Sequence, residues 1–116
     1  MGIPLEDRRR FIAALVDACG ADDVDIATMF GSPAIRHRGR IVCFLSGDAE
    51  LIVKLTRQEA LDLIDQGRAA PVVMGRRTLR EWVVVARADD PADAVEHWRP
   101  HALVALEHAR RARDGD

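Results

Sequence analysis

The sequence predicts an α+β domain in which about six antiparallel strands form one sheet accompanied by three helices. Three observations lead to this fold class. The chain has 116 residues, which suits one domain over residues 1–116. Apolar residues make up 48% and charged residues 31%, as in ordinary globular proteins. The apolar spacing changes along the chain between the helical period and the period of two that is typical of strands.

The first two elements follow from this spacing. Apolar residues recur at helical intervals from Leu5 to Cys19, and Gly20 provides a stop for the helix. Residues 23–30 then alternate with a period of two, which predicts a strand. One side of that strand carries Val24, Ile26, Thr28 and Phe30.

Two turns predict the next three strands. Arg38-Gly39 separates residues 34–37 from residues 40–45, and glycine at the second turn position suits a two-residue hairpin. Residues 46–49 have turn composition, and residues 50–55 resume strand character. Consecutive antiparallel strands are therefore expected in this region.

The second half begins with a capping box, in which Thr56 and Glu59 start a helix that Gly67 ends. Residues 71–74 are predicted as a short edge strand, and the basic turn of residues 75–78 leads into a strand over residues 81–86. Residues 89–91 form a cap-and-proline pattern that predicts one or two turns. Pro100 is predicted to begin the last helix, because proline is disfavoured inside one. The order is one helix, four strands, a helix, two strands and a helix.

Several segments together carry a resemblance that covers most of the chain: Met29-Phe30-Gly31, Arg38-Gly39-Arg40, Leu51-Ile52-Val53-Lys54-Leu55, Gly75-Arg76-Arg77 and Arg80-Glu81-Trp82-Val83. In their order and spacing they resemble the N-terminal domain of the TfoX/Sxy family, bacterial proteins associated with regulation of natural competence. The resemblance implies a curved antiparallel sheet, related in shape to YjbR-like proteins, and a regulatory role. Val72 and Leu79 replace a phenylalanine and a methionine that are frequent in the family, which bears on core packing.

The sequence contains no nucleophile elbow, phosphate-binding glycine loop, dinucleotide fingerprint or zinc-binding histidine pair. We therefore expect a non-enzymatic regulatory or protein-interaction module with no catalytic residue, cofactor or metal site. The net charge of −2 argues against a protein that coats nucleic acid through its overall field. Two separated cysteines, Cys19 and Cys43, and the lack of a signal or membrane segment predict a cytoplasmic protein without a membrane partner.

Two groups of arginines leave a nucleic-acid-binding module open as the alternative. The first surrounds the predicted hairpin, and the second surrounds the basic turn: Arg36, Arg38, Arg40, Arg76, Arg77 and Arg80. Arginine at a hairpin tip can contact phosphates or enter a minor groove. The simpler interpretation is that these arginines are solvated turn residues.

Lys54 stands in an otherwise apolar strand, at the position of a characteristic lysine of the TfoX family. One interpretation is structural, with the stem covering apolar surface and the ammonium group reaching Glu81 or Glu50. A weaker one is a small-ligand site or an enzyme, with Lys54, Glu81 and Trp82 at its centre. His97, His101 and His108 would share a face only in a continuous helix, which Pro100 is predicted to interrupt.

Overall fold

The computed structural model describes residues 3–86 and 91–111. Over these residues it contains three helices and one six-stranded antiparallel sheet, so the predicted fold class and element order are confirmed. The elements are α1 (Leu5–Cys19), β1 (Asp25–Met29), β2 (Ser32–His37), β3 (Arg40–Leu45), β4 (Leu51–Lys54), α2 (Arg57–Asp65), β5 (Ala70–Met74), β6 (Arg77–Val85) and α3 (Pro91–Arg111).

The strand order in the sheet is β1-β2-β3-β4-β6-β5, and every neighbouring pair is antiparallel. The first four strands follow one another directly. After α2 the chain returns at the outer edge as β5 and then places β6 between β5 and β4. β6 is therefore a central strand, whereas β1 and β5 are the two edges.

The hydrophobic core lies between the helices and one face of the sheet. On β3, β4 and β6, every second residue along the strand lies on this face, and these residues are fully buried: Cys43, Leu45, Leu51, Val53, Val83 and Val85. The helices contribute Ile12, Leu15, Ala60, Trp98 and Leu106 to the same cluster. Each fully buried leucine, isoleucine or valine contributes roughly 1.5–3 kcal/mol relative to exposure, so this face dominates the stabilisation.

The helix limits predicted from local signals are confirmed for α1 and α2. Gly20 follows α1 in the left-handed region with φ of 63°. At the start of α2, the Thr56 hydroxyl accepts a hydrogen bond from the Glu59 amide, and the Glu59 carboxylate accepts one from the Thr56 amide, both at 3.1 Å. These bonds satisfy two amides that a helix terminus would otherwise leave unpaired.

Two tight turns have both central residues at positive φ. Arg38 and Gly39 have φ of 49° and 83°, which confirms the predicted hairpin turn. Phe30 and Gly31 have φ of 52° and 75° and form an equivalent turn between β1 and β2. Phe30 therefore lies in a turn, and the strand predicted over residues 23–30 is limited to Asp25–Met29.

The prediction that Pro100 begins the last helix is wrong, because α3 continues from Pro91 to Arg111 with Pro100 in its interior. An interior proline costs about 3 kcal/mol of helix stability. Trp98 and Ala102, on either side of Pro100, are both buried in the same core, and their burial offsets that cost. The predicted cap at Asp89 and Asp90 lies outside the described residues.

The basic turn predicted over residues 75–78 is shorter than expected. Arg77 and Thr78 already belong to β6, where they pair with Met74 and Val73 of β5. The connecting turn is therefore Gly75-Arg76, and β6 is four residues longer at its start than the strand predicted to begin at Glu81.

Candidate binding site on the open face of the sheet

The sheet face opposite the core carries side chains that are only half-buried. We call it the open face and define it by Phe44, Ile52, Lys54, Trp82 and Val84. Phe44 pairs with Ile52, which pairs with Val84, and Lys54 pairs with Trp82. Because side chains directly opposite each other on neighbouring strands lie on the same face, this register collects five residues from three strands on one surface.

An aromatic row crosses the open face. The Phe44 and Trp82 ring centroids are 5.8 Å apart with an interplanar angle of 66°. Phe30, in the β1–β2 turn, extends the row, with its centroid 6.5 Å from that of Phe44. These are edge-to-face contacts, the arrangement that aromatic quadrupoles favour. The row ends in the Phe30 ring, which is 79% exposed.

Phe30 is unusual both in its backbone conformation and in its exposure. A bulky residue without glycine's freedom seldom adopts positive φ, and asparagine, aspartate or glycine is usual at this position of a tight turn. A phenylalanine exposed to this degree also gains little from burial. Since neither the backbone nor the core accounts for a phenylalanine here, its ring is a candidate for contact with another molecule.

Lys54 contacts the aromatic row instead of forming an ion pair. Its Nζ atom lies 5.8 Å from the centroid of the Trp82 ring, within the range of a cation–π interaction. Among the described residues, Lys54 forms neither of the ion pairs predicted with Glu81 or Glu50. Glu81 approaches this region through its backbone, because its carbonyl accepts a hydrogen bond from the Leu55 amide at 2.9 Å.

β6 bulges next to Lys54. Val83 pairs with Pro71 and Leu79 with Val72, so Arg80, Glu81 and Trp82 lie opposite a single step of β5. Such an irregularity bends the strand and changes the direction of its side chains. It occurs at the point where Trp82 turns toward Lys54 and Phe44.

A pocket of about 210 Å³ lies beside the Lys54–Trp82 pair. Its walls combine three basic or titratable side chains with apolar ones from β1, β3, β6 and α3: Met29, Arg40, Ile41, Lys54, Trp82, Ala105, His108 and Ala109. The described residues contribute no carboxylate to this wall. The pocket can therefore accept a molecule that is apolar at one end and negatively charged at the other.

A wider groove of about 610 Å³ runs between α1 and β1. Leu5 and Ile26, which are 37% and 49% exposed, lie along it, and Arg9 is the charged residue of its described wall. It lacks the combination of aromatic and several cationic groups that distinguishes the pocket at Lys54.

The six arginines selected from the sequence do not form one group. Arg36 donates two hydrogen bonds to the carboxylate of Asp25, which raises the pKa of Arg36 and lowers the pKa of Asp25. Arg40 lines the pocket. The other four, Arg38, Arg76, Arg77 and Arg80, are exposed and form no ion pair among the described residues.

The two arginine-rich turns project from the same end of the sheet. β3 begins and β4 ends at this end, and β6, which is antiparallel to β4, also begins there. The Arg38-Gly39 turn precedes β3 and the Gly75-Arg76 turn precedes β6. The sheet topology therefore places the exposed arginines of these two turns, which are distant in sequence, at the same end of the sheet.

Asp23 joins the start of β1 to the end of α3. Its carboxylate accepts two hydrogen bonds from the guanidinium of Arg110, at 2.8 and 2.7 Å. The nearly buried His37 ring places its Nδ1 2.9 Å from the Asp23 carbonyl oxygen. The hydrogen bonds from Arg110 lower the pKa of Asp23 to about 2. This cluster is a structural connection, since its three polar groups bond to one another.

The histidines of α3 lie on one continuous helix, and the His97 and His101 rings are 6.1 Å apart. Burial lowers the pKa of His101. Over residues 3–86 and 91–111, no three histidine, cysteine, aspartate or glutamate side chains come together as metal ligands do. None of the helices in this part of the chain is long and apolar enough to cross a membrane.

Comparison with known proteins gives no relative. No family model matches the chain, and no curated protein or solved structure matches it.

Sequence reasoning selected Lys54 and Trp82 but missed Phe30 and Phe44. The structure brings Lys54, Trp82 and Phe44 together on the open face and places Phe30, in the adjoining turn, against Phe44. Of Glu81, the backbone carbonyl takes part, through its hydrogen bond from the Leu55 amide. One signal was present for Phe30, because Phe30-Gly31 has the same residue–glycine pattern as the Arg38-Gly39 turn. Phe44 could be assigned only once the strand register was known.

Proposed function

We propose that this chain is a non-enzymatic protein-interaction module that binds a partner protein on the open face of its sheet. The observation that carries the proposal is the Phe30 ring, 79% exposed at a positive-φ turn position and continuous with the Phe44–Trp82 pair. Aromatic residues are enriched in the centres of protein interfaces, where they combine large contact area with few rotatable bonds.

The chemistry of this surface favours a partner that presents an apolar segment. Phe44, Ile52 and Val84 are half-buried and offer carbon surface next to the exposed Phe30 ring. The exposed Arg38 lies in the turn at the opposite end of β2 from Phe30 and adds positive charge at that end of the sheet. A partner with apolar side chains bordered by carboxylates would match both features.

The test is site-specific photocrosslinking in the native cell. A photoreactive phenylalanine analogue is placed at residue 30 and, as a matched control, at residue 61, because Leu61 is an exposed apolar residue on α2. We expect one protein to be crosslinked from residue 30 and not from residue 61. Identical products from both positions, or a product that joins two copies of this chain, would contradict a separate partner at this face.

The second candidate is a nucleic-acid-binding module. It is favoured by the position of the Arg38 turn and the Arg76 turn at the same end of the sheet, because two basic turns on one side can contact one phosphate backbone. Fluorescence anisotropy with duplex DNA should then show affinity falling steeply with salt. Replacing Arg76 and Arg77 with glutamine should flatten that slope, whereas replacing Arg57 on α2 should not.

The kinship with TfoX N-terminal domains is part of the same proposal. It is supported by the motif order from Met29 to Val85 and would imply a regulatory partner in the bacterial cytoplasm. Identification of the crosslinked protein tests this role, because a component of transcriptional regulation is expected.

A further inference from the structure

We propose that the pocket beside Lys54 binds a small organic carboxylate whose apolar part lies against Trp82. This inference goes beyond the protein-interaction function and does not depend on it. Phe30 does not line the pocket, so the two activities can be separated by substitution.

The positive charge of the pocket wall favours a negatively charged ligand. Lys54 lines the pocket and supplies a positive charge, and the described wall contains no aspartate or glutamate. In a partly enclosed site, hydrogen bonds between cationic donors and a carboxylate are shorter and stronger than those between neutral groups. An anion is therefore favoured over a neutral or cationic molecule of the same shape.

Lys54 is the residue best placed to supply this charge. It is half-buried at the end of β4, and its described neighbours offer it the Trp82 ring rather than a carboxylate. A ligand carboxylate would give the ammonium group the charged partner that the described residues do not supply. The aliphatic stem of Lys54 covers apolar surface in either state.

The apolar side chains of the wall determine the size and shape of the apolar part that the ligand can have. Met29, Ile41 and the Trp82 ring supply carbon surface, and an indole offers a flat area on which an aromatic or branched aliphatic group can lie. The volume of about 210 Å³ exceeds the roughly 150 Å³ of an engineered cavity that accepts benzene. It is below the range of roughly 300–1,000 Å³ typical of drug-sized ligands. A monocarboxylate of about ten non-hydrogen atoms fits these limits.

The two tryptophans provide a specific readout. Trp82 lines the pocket, whereas Trp98 is fully buried in the core. Their indole N–H groups give separate signals in a ¹H–¹⁵N spectrum, which Trp82→Phe assigns. Benzoate is the probe and benzyl alcohol, with the same ring and no charge, is its control. We expect benzoate to shift the Trp82 signal saturably with a dissociation constant on the order of 1 mM, and benzyl alcohol to bind at least about tenfold more weakly.

Substitutions of Lys54 test the charge directly. Lys54→Met keeps the stem but removes the ammonium group, and should weaken benzoate binding about tenfold. Lys54→Arg keeps the charge and should stay within about threefold of the unmodified protein. Arg57→Met, which removes an exposed charge on α2, should change nothing. An unchanged Trp98 signal shows that each variant is folded.

Three results would overturn the proposal. These are equal binding of benzoate and benzyl alcohol, benzoate affinity that survives Lys54→Met, and no saturable shift of the Trp82 signal at roughly ten times the expected dissociation constant. Phe30→Asn separates the two proposed activities, because it should weaken partner binding at least about thirtyfold and leave the benzoate titration unchanged.

Discussion

The Lys54 ammonium group lies 5.8 Å from the centre of the Trp82 ring, and the Trp82 ring makes an edge contact with Phe44. A lysine inserted between Val53 and Leu55 thus completes an aromatic surface on the side of the sheet that faces away from the core. The relationship depends on register, since Lys54 and Trp82 are direct partners across β4 and β6. The same pairing places a positive charge in the wall of the pocket.

Lys54→Met should leave the free energy of unfolding within about 1 kcal/mol of its original value. The substitution removes a cation–π contact worth about 0.5–1 kcal/mol at a partly exposed site. It also replaces the charged end with apolar surface, which offsets the loss. Urea denaturation measures the change. Destabilisation by several kcal/mol would show that the ammonium group has a structural partner and would contradict its assignment to a ligand.

Phe30→Asn should raise the free energy of unfolding or leave it unchanged. The left-handed conformation costs a residue with a side chain such as phenylalanine about 1–2 kcal/mol, and asparagine tolerates it better. The lost ring contributes little because it is 79% exposed. Thermal unfolding of Phe30→Asn beside Leu61→Asn gives the comparison. A lowered melting temperature for Phe30→Asn alone would mean that the Phe30 ring stabilises the folded protein.

Asp23 should contribute to stability in a defined pH range. Its pKa of about 2 in the folded protein lies below the value of about 3.9 usual for an unfolded chain. The contribution is therefore fully present above about pH 4 and is lost as the pH falls toward 2. The side chain is 36% exposed, so solvent screening keeps the effect modest.

The measurement is the melting temperature of the unmodified protein and of Asp23→Asn between about pH 5 and pH 2. The difference between the two should shrink as the pH falls. Asp65→Asn, at the end of α2, removes a carboxylate that forms no ion pair among the described residues and is the control for the loss of one negative charge. A gap of constant size for Asp23→Asn would contradict the stabilising role of the Arg110 hydrogen bonds.

Trp98→Phe should destabilise the protein much less than Trp98→Ala. Trp98 is fully buried against Phe11, and its Nε1 donor has no acceptor among the described residues. Alanine leaves a large cavity at a cost of about 3–5 kcal/mol. Phenylalanine leaves a smaller cavity. It also removes the unpaired Nε1 donor, whose burial costs the unmodified protein about 1–3 kcal/mol. Urea denaturation yields both values. Equal costs would contradict the smaller cavity expected for phenylalanine.

Local signals predicted those elements whose ends are determined by neighbouring residues. Gly20 ends α1, and the Thr56–Glu59 capping box starts α2, because each acts through hydrogen bonds or backbone freedom within one turn of the helix. The Arg38-Gly39 hairpin was predictable for the same reason. Pro100 shows the opposite case, since the packing of Trp98 and Ala102 decides its place inside α3, and packing is not visible in a local pattern.

The candidate site was predictable only in part. Lys54 and Trp82 were predictable as candidates because each is a charged or indole side chain in an otherwise apolar strand. Their pairing was not predictable, because in the order β4-β6-β5 the strand next to β4 in the sheet is not the next strand along the chain. The turn position of Phe30 was not predicted, because the period-two alternation of β1 continues through this residue. Arg36 was selected as a contact residue although Asp25, its partner across β1 and β2, holds its charge.

The affinity of the protein crosslinked from residue 30 decides whether the open face and the adjoining Phe30 ring bind a partner. Isothermal titration compares the unmodified chain with Phe30→Asn and with Leu61→Asn. We expect Phe30→Asn to weaken binding at least about thirtyfold, as loss of a central aromatic contact of about 2 kcal/mol does, while Leu61→Asn binds as the unmodified protein. Equal affinity of all three proteins would show that the open face is not the binding surface.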